Sequence, residues 1–208
     1  MHLRCGKLEL TLNGCVFHHT HAIWRKIQSL GLQEAYNRRA ATFNFCRRLM
    51  ALAFLPAEYI PAQFEAIRCT NATGKFVELL DYFQRQWLNN TTIPVKAWSV
   101  FGRPIRTNNN VEGWHKRINS QAHSQQSINM YLLIDTLYKE SVNVNLQIQF
   151  LSNGAVLRYQ RAKYRKLQAI IFKAWQNLSD GEISAKQLLK LCSRLNGPTI
   201  SMNSPDTE

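Results

Sequence analysis

The chain has 208 residues, 45% of them hydrophobic and 19% charged, with a formal net charge of +13. That length allows one domain or two small ones with a real core, and the composition excludes a disordered chain. The charge is silent on fold but favours polyanionic partners such as nucleic acid or an acidic membrane surface.

Five cysteines, Cys5, Cys15, Cys46, Cys69 and Cys192, are odd in number and scattered. They argue against a disulfide framework and for a reducing compartment. No C-x-x-C pair occurs, which argues against a zinc finger. The start, "MHLRCGKLELTLNG", lacks the apolar run of a signal peptide, and no stretch reaches the roughly 18 apolar residues of a membrane span. An intracellular protein with no membrane partner is expected.

In chain order, "LELTLNGCVF" (8–17) alternates as an extended segment does, and a helix is expected to start near His18 to His21. Cys15 and His18 form a C-x-x-H pair. Two such ligands could hold a metal, but a zinc site wants three or four, and His19, His21 and His115 are the only plausible extra ligands nearby in type. The competing reading is a buried structural cysteine beside a helix-start histidine.

"AYNRRAATFNFCRRLMALAFLP" (35–56) reads as one helix ended by Pro56, and a short helix is expected after Pro61. In "GKFVELLDYFQRQWL" (74–88), Phe76, Leu79, Leu80, Phe83 and Trp87 fall on one helical face. "AWSVFG" (97–102) reads as extended.

In "RTNNNVEGWHKRIN" (106–119), an asparagine among 108–110 can cap a helix, which puts Glu112 in the first turn. There the helix dipole favours a carboxylate, so capping alone could explain it. His115 and Asn119 follow at i+3 and i+7, making a polar line beside Trp114 that is more than capping needs.

"SINMYLLIDTLYKESVNVNLQIQFL" (127–151) is helical in its first half, and its Val/Ile-rich second half is open. "VLRYQRAKYRKLQAIIFKAWQNL" (156–178) sets Leu157, Tyr164, Leu167, Ile171 and Ala174 against a basic face. No acid occurs between Glu140 and Asp180. The basic residues Arg158, Arg161, Lys163, Arg165 and Lys166 lie in that interval. With Arg103, Arg106, Lys116 and Arg117 they are the candidates for DNA contact, although no known DNA-binding motif is present. Ser179 and Glu182 suggest a capping box opening a last helix that ends near Asn196-Gly197-Pro198, with a disordered tail over 198–208.

Four blocks in order, "GCVFHHTHAIWRKIQSLGLQEAYN", "RRLMALAFLP", "LLDYFQRQWL" and "RTNNNVEGWHKRIN", give the chain a family likeness. From about Gly14 to Ser141 it resembles the C-terminal half of Mutator-like element (MULE) transposases. The resemblance implies an RNase H-like nuclease fold with a helical insertion before its last acid. It also implies two aspartates and a glutamate holding Mg²⁺ or Mn²⁺ for phosphodiester chemistry. Glu112 matches the third acid, which would make it a metal ligand once partner carboxylates are supplied. Cys15 and His18 match the family's C-x-x-H element, and His115 and Asn119 stand as possible support for the site.

The family's two aspartates precede the C-x-x-H element, yet the first aspartate here is Asp81, and the only acid before Cys15 is Glu9. The expected architecture is therefore mainly α: the helical insertion and C-terminal helices of an RNase H-like fold, with the central sheet largely missing. The expected organisation is a truncated transposase-like part over 1–141, a basic helical region over 142–197 and the tail. The function implied is that of a DNA-binding remnant of a transposition enzyme, probing no small-molecule substrate and not catalytic alone. Its partners would be DNA and either a complete transposase chain or another copy of itself, in the nucleus. The competing reading is a domesticated helical module that binds DNA or protein without chemistry.

Overall fold

The computed structural model describes residues 14–39, 41–70, 74–121, 130–152 and 162–198, with backbone alone at 110, 121, 146–152 and 162–164. All regular structure among the described residues is helical, and no strand occurs among them. The chain divides into two compact units, Met1–Thr107 with Leu167–Glu208, and Asn108–Lys166.

The first unit begins with α1 (Val16–Ser29), which buries Val16, His19, Ile23 and Ile27 on one face at helical spacing. It stops at Gly31, whose φ of 67° suits a residue without Cβ. There Gly31 N–H donates to the Gln28 carbonyl and Leu32 N–H to that of Ile27, satisfying two carbonyls the helix leaves over. A short α2 (Gln33–Asn37) follows, then α3 (Ala41–Ala51), which continues as a 3₁₀ turn over Leu52–Phe54. Next come α4 (Ile60–Thr70), with Pro61 in its first turn, and α5 (Lys75–Phe83). The backbone widens to a π-helical turn over Gln84–Leu88, closed by Asn89 N–H on the Gln84 carbonyl at 2.9 Å. A four-residue α6 (Val95–Trp98) completes this part.

Two later helices close the core. These are α9 (Ala162–Ser179), whose residues from Leu167 belong to this unit, and α10 (Ala185–Leu195), which packs on α3. Ile171, Ala174 and Trp175 of α9 and Leu188, Leu189 and Cys192 of α10 join the buried cluster. The backbone between α3 and α4 is irregular and buried, so its carbonyls need partners. Val100 N–H takes the Ala53 carbonyl at 2.8 Å, the Trp175 indole that of Phe54 at 2.9 Å, and the Ser99 hydroxyl that of Leu55 at 2.7 Å.

The second unit pairs α7 (Asn109–Gln121) with α8 (Met130–Ser152). Ile118 is its one buried hydrophobic side chain among those described. On α8 Thr136 and Glu140 are buried, and Glu140 forms an ion pair with Arg117 of α7. Residues 141 and 142, where the transposase-like part was expected to give way to the basic part, fall within α8.

Several sequence expectations are corrected. The helix over 35–56 is broken near Arg39, which takes a φ of 54°. A straight helix would separate residues seven apart by roughly 10 Å along its axis, whereas the break sets the Tyr36 and Phe43 rings 4.8 Å apart. The first helix starts at Val16, ahead of His18, so Val16 and Phe17 are not extended. The rest of the alternating segment lies outside the described residues. "AWSVFG" is a helical turn to Trp98 followed by unpaired extended backbone, because its donors serve the 53–55 carbonyls. The capping box of α10 is Ser184 with Gln187, not Ser179 with Glu182. Helix α9 runs on through Ser179 and ends at Gly181, φ 77°, where Gly181 N–H donates to Leu178 and Glu182 N–H to Asn177. The Val/Ile-rich half of 127–151 is helical, continuous with the first half. The tail expected beyond 198 lies outside the described residues.

Candidate functional site

The C-x-x-H element is held from both sides. Gly14 N–H donates to the Ala97 carbonyl at 2.6 Å and Val16 N–H to that of Arg106 at 2.9 Å. A Cβ on Gly14 would stand 2.8 Å from the Trp98 Cα, so only glycine permits this approach. Cys15 is half-buried at the N-cap of α1, and its carbonyl accepts from His19 N–H at 3.0 Å. His18 and His21 are exposed, and the exposed Phe17 ring lies 5.5 Å from the former and stacks at 5.9 Å on the latter.

His19, between them, is buried. Its imidazole stacks on Trp98 at 5.0 Å and meets the edges of Trp87 at 4.5 Å and Phe83 at 5.9 Å. Neither ring nitrogen has a hydrogen-bond partner. Burial among aromatic rings disfavours the imidazolium and lowers the pKa to about 3. The 3.6-residue spacing from Val16 through His19 to Ile23 and Ile27 already placed this histidine on the apolar face, and it is a core residue among the histidines weighed as ligands.

Glu112 lies exposed in the first turn of α7, with its N–H donating to the Asn108 carbonyl at 3.0 Å. His115 and Asn119 are exposed along the same helix, and the His115 ring lies 5.2 Å from the half-buried Trp114. Helix α7 thus carries the Glu, His and Asn line, in the second unit. Cys15 and His18 belong to the first. Among the described residues no group of three or more His, Cys, Asp or Glu could hold a metal ion. A hard divalent cation wants several oxygen ligands, so the described residues do not fit the metal pair implied by the resemblance. Asp81 accepts from Arg68 at 3.5 Å, and Asp135 pairs with Lys139 at 2.6 Å.

The basic candidates divide by what already holds them. Lys116, Arg165 and Lys166 are exposed. Arg117 is engaged by Glu140. Arg103 donates to the Ala97 and Lys96 carbonyls at 3.3 and 2.9 Å, closing the end of α6. Arg106 lies half-buried with its guanidinium 5.7 Å above the Trp175 ring, and burial lowers its pKa. Arg158 and Arg161 lie outside the described residues, and of Lys163 only the backbone is described.

Sequence reasoning missed Arg47, which is buried rather than part of a basic face. Its Nε donates to the Ser193 carbonyl at 2.7 Å and one terminal nitrogen to that of Arg194 at 2.8 Å, capping the end of α10. The signal was its place on α3, four residues after Phe43 and three before Met50.

Among the described residues no helix is long and apolar enough to cross a membrane. Compared with models of protein families, with curated proteins and with solved structures, the chain matches none. The protein is mainly helical, with a glycine-pinned C-x-x-H element in its first unit and an acid-bearing helix in its second.

Proposed function

We propose that the chain carries the C-terminal half of a MULE transposase-like, RNase H-derived domain, and that these 208 residues bind DNA but do not cut it alone. The observation that carries this reading is the order of the four sequence blocks. Packing of the first three on one another in one unit is consistent with it: α1 packs on α3, and the His19 ring meets those of Phe83 and Trp87. Glu112 is then the third acid of a site whose two aspartates are not among these 208 residues. A nuclear location belongs to this reading.

The net charge of +13 supports contact with the phosphate backbone, which is independent of sequence and weakens with salt as condensed counterions are released. The test is affinity for two unrelated duplexes at two salt concentrations, with strand cleavage assayed in Mg²⁺ or Mn²⁺. Binding is expected to be alike on both duplexes and to fall steeply with salt. Replacing both Arg165 and Lys166 by alanine should reduce the log–log salt slope by up to about 2. Absence of binding at low salt refutes the DNA-binding reading. Cleavage by the native chain that disappears in Glu112→Gln refutes the claim that this chain does not act alone.

A further inference from the structure

Nine of the fifteen exposed large hydrophobic side chains among the described residues lie on α8. Their spacing is ordered. Met130, Ile134, Leu137, Ser141 and Val144 follow at steps of four, three, four and three, the spacing of a seam between two helices. In the sequence the same steps run on to Ile148 and Leu151. Tyr131 and Tyr138, 84% and 67% exposed, flank the seam. Thr136 and Glu140, the buried residues of α8 among those described, lie roughly 100° around the helix from it, and Glu140 is the one paired with Arg117 of α7. That ion pair leaves the seam uncovered.

We propose that this seam docks against the same seam of a second copy of the chain, joining two α7–α8 pairs in a homodimer. Area supports it. At roughly 200 Å² per large side chain, the four hydrophobic seam residues and two tyrosines expose on the order of 700 Å². A standard stable interface takes about 800 Å² from each partner. Charge supports it too. No charged residue lies on the seam, and Asp135 and Lys139 pair with each other on the far side of the helix. An acidic partner would be drawn to the basic faces of a +13 chain, whereas a neutral seam is where two like-charged copies can meet. A twofold interface needs one patch that is its own complement, and a heptad seam is such a patch. Among the described side chains of the second unit Ile118 is the one buried hydrophobic, a small core for a helix pair.

The test uses the full chain in sedimentation equilibrium from low to high micromolar concentration, at two salt concentrations. A monomer–dimer equilibrium is expected, tightening with salt because salt screens the repulsion between copies. This trend is opposite to that of DNA binding, so failure of one reading is told apart from failure of the other. Ile134→Glu with Leu137→Glu should weaken the dimer at least about a hundredfold. Leu132→Gln, on the other side of α8, should leave it within about threefold. Hydrogen exchange of the unaltered chain supplies a readout that needs no variant: protection over 130–145 should rise with concentration. A chain that stays monomeric throughout overturns the proposal. So does a dimer indifferent to the glutamate pair, or protection over 130–145 that ignores concentration.

Discussion

Histidine 19 ties the stability of the first unit to pH. The folded chain holds its imidazole neutral among Trp98, Trp87 and Phe83, with a pKa of about 3, against 6.5 when exposed. The folded pKa is depressed, so the unfolded chain binds the extra proton. Stability is then fully present above pH 6.5 and is lost as pH falls towards 3. With these two values the loss is about 1.4 kcal/mol at pH 5.5 and about 2.7 kcal/mol at pH 4.5, relative to pH 7.5. The perturbation is His19→Phe, which keeps a flat ring against Trp98 and removes the titrating group. The assay is urea unfolding followed by tryptophan fluorescence at pH 7.5, 5.5 and 4.5, for both chains. Every other titrating group is common to both chains and cancels in the difference. The stability gap should move in favour of the variant by about 1.4 and then 2.7 kcal/mol. A gap that stays constant with pH within about 0.5 kcal/mol refutes the assignment of His19 as a buried neutral base.

Gly14→Ala should destabilise the fold by about 1–3 kcal/mol, read from the urea midpoint, because its Cβ would stand 2.8 Å from the Trp98 backbone. Arg47→Met keeps much of the side-chain length but removes the donors to Ser193 and Arg194, and should cost about 2–4 kcal/mol in the same assay. Ser184→Ala should cost about 1 kcal/mol and Ser179→Ala within about 0.5 kcal/mol in thermal unfolding, since only Ser184 caps α10.

Much of the helical content was legible in the chain. The stripe Leu79, Leu80 and Phe83, the proline in the first turn of α4 and the acid in the first turn of α7 follow from local periodicity and capping. The capping box went to the wrong pair because Ser179 has the right residue three positions on. Gly181, the residue that ends α9, acts through a positive φ that composition does not announce. Likewise "AWSVFG" has strand-like residues, but its N–H and hydroxyl donors are taken by the Ala53 and Leu55 carbonyls, a demand set by distant chain.

By itself the sequence determined where the chain can turn into helix, because spacing of apolar residues and caps is a local property. It also determined the excess of positive charge and the block order on which the functional reading rests. Tertiary structure decided which polar residues that charge and those blocks leave exposed. Arg47 and His19 both lie on the buried faces of their helices, yet one finds carbonyls at a helix end and the other finds only aromatic rings. The physical reason is that a buried polar group is governed by what surrounds it in space, and for these two residues the surroundings come from α10 and from the Phe83–Trp98 segment, far along the chain.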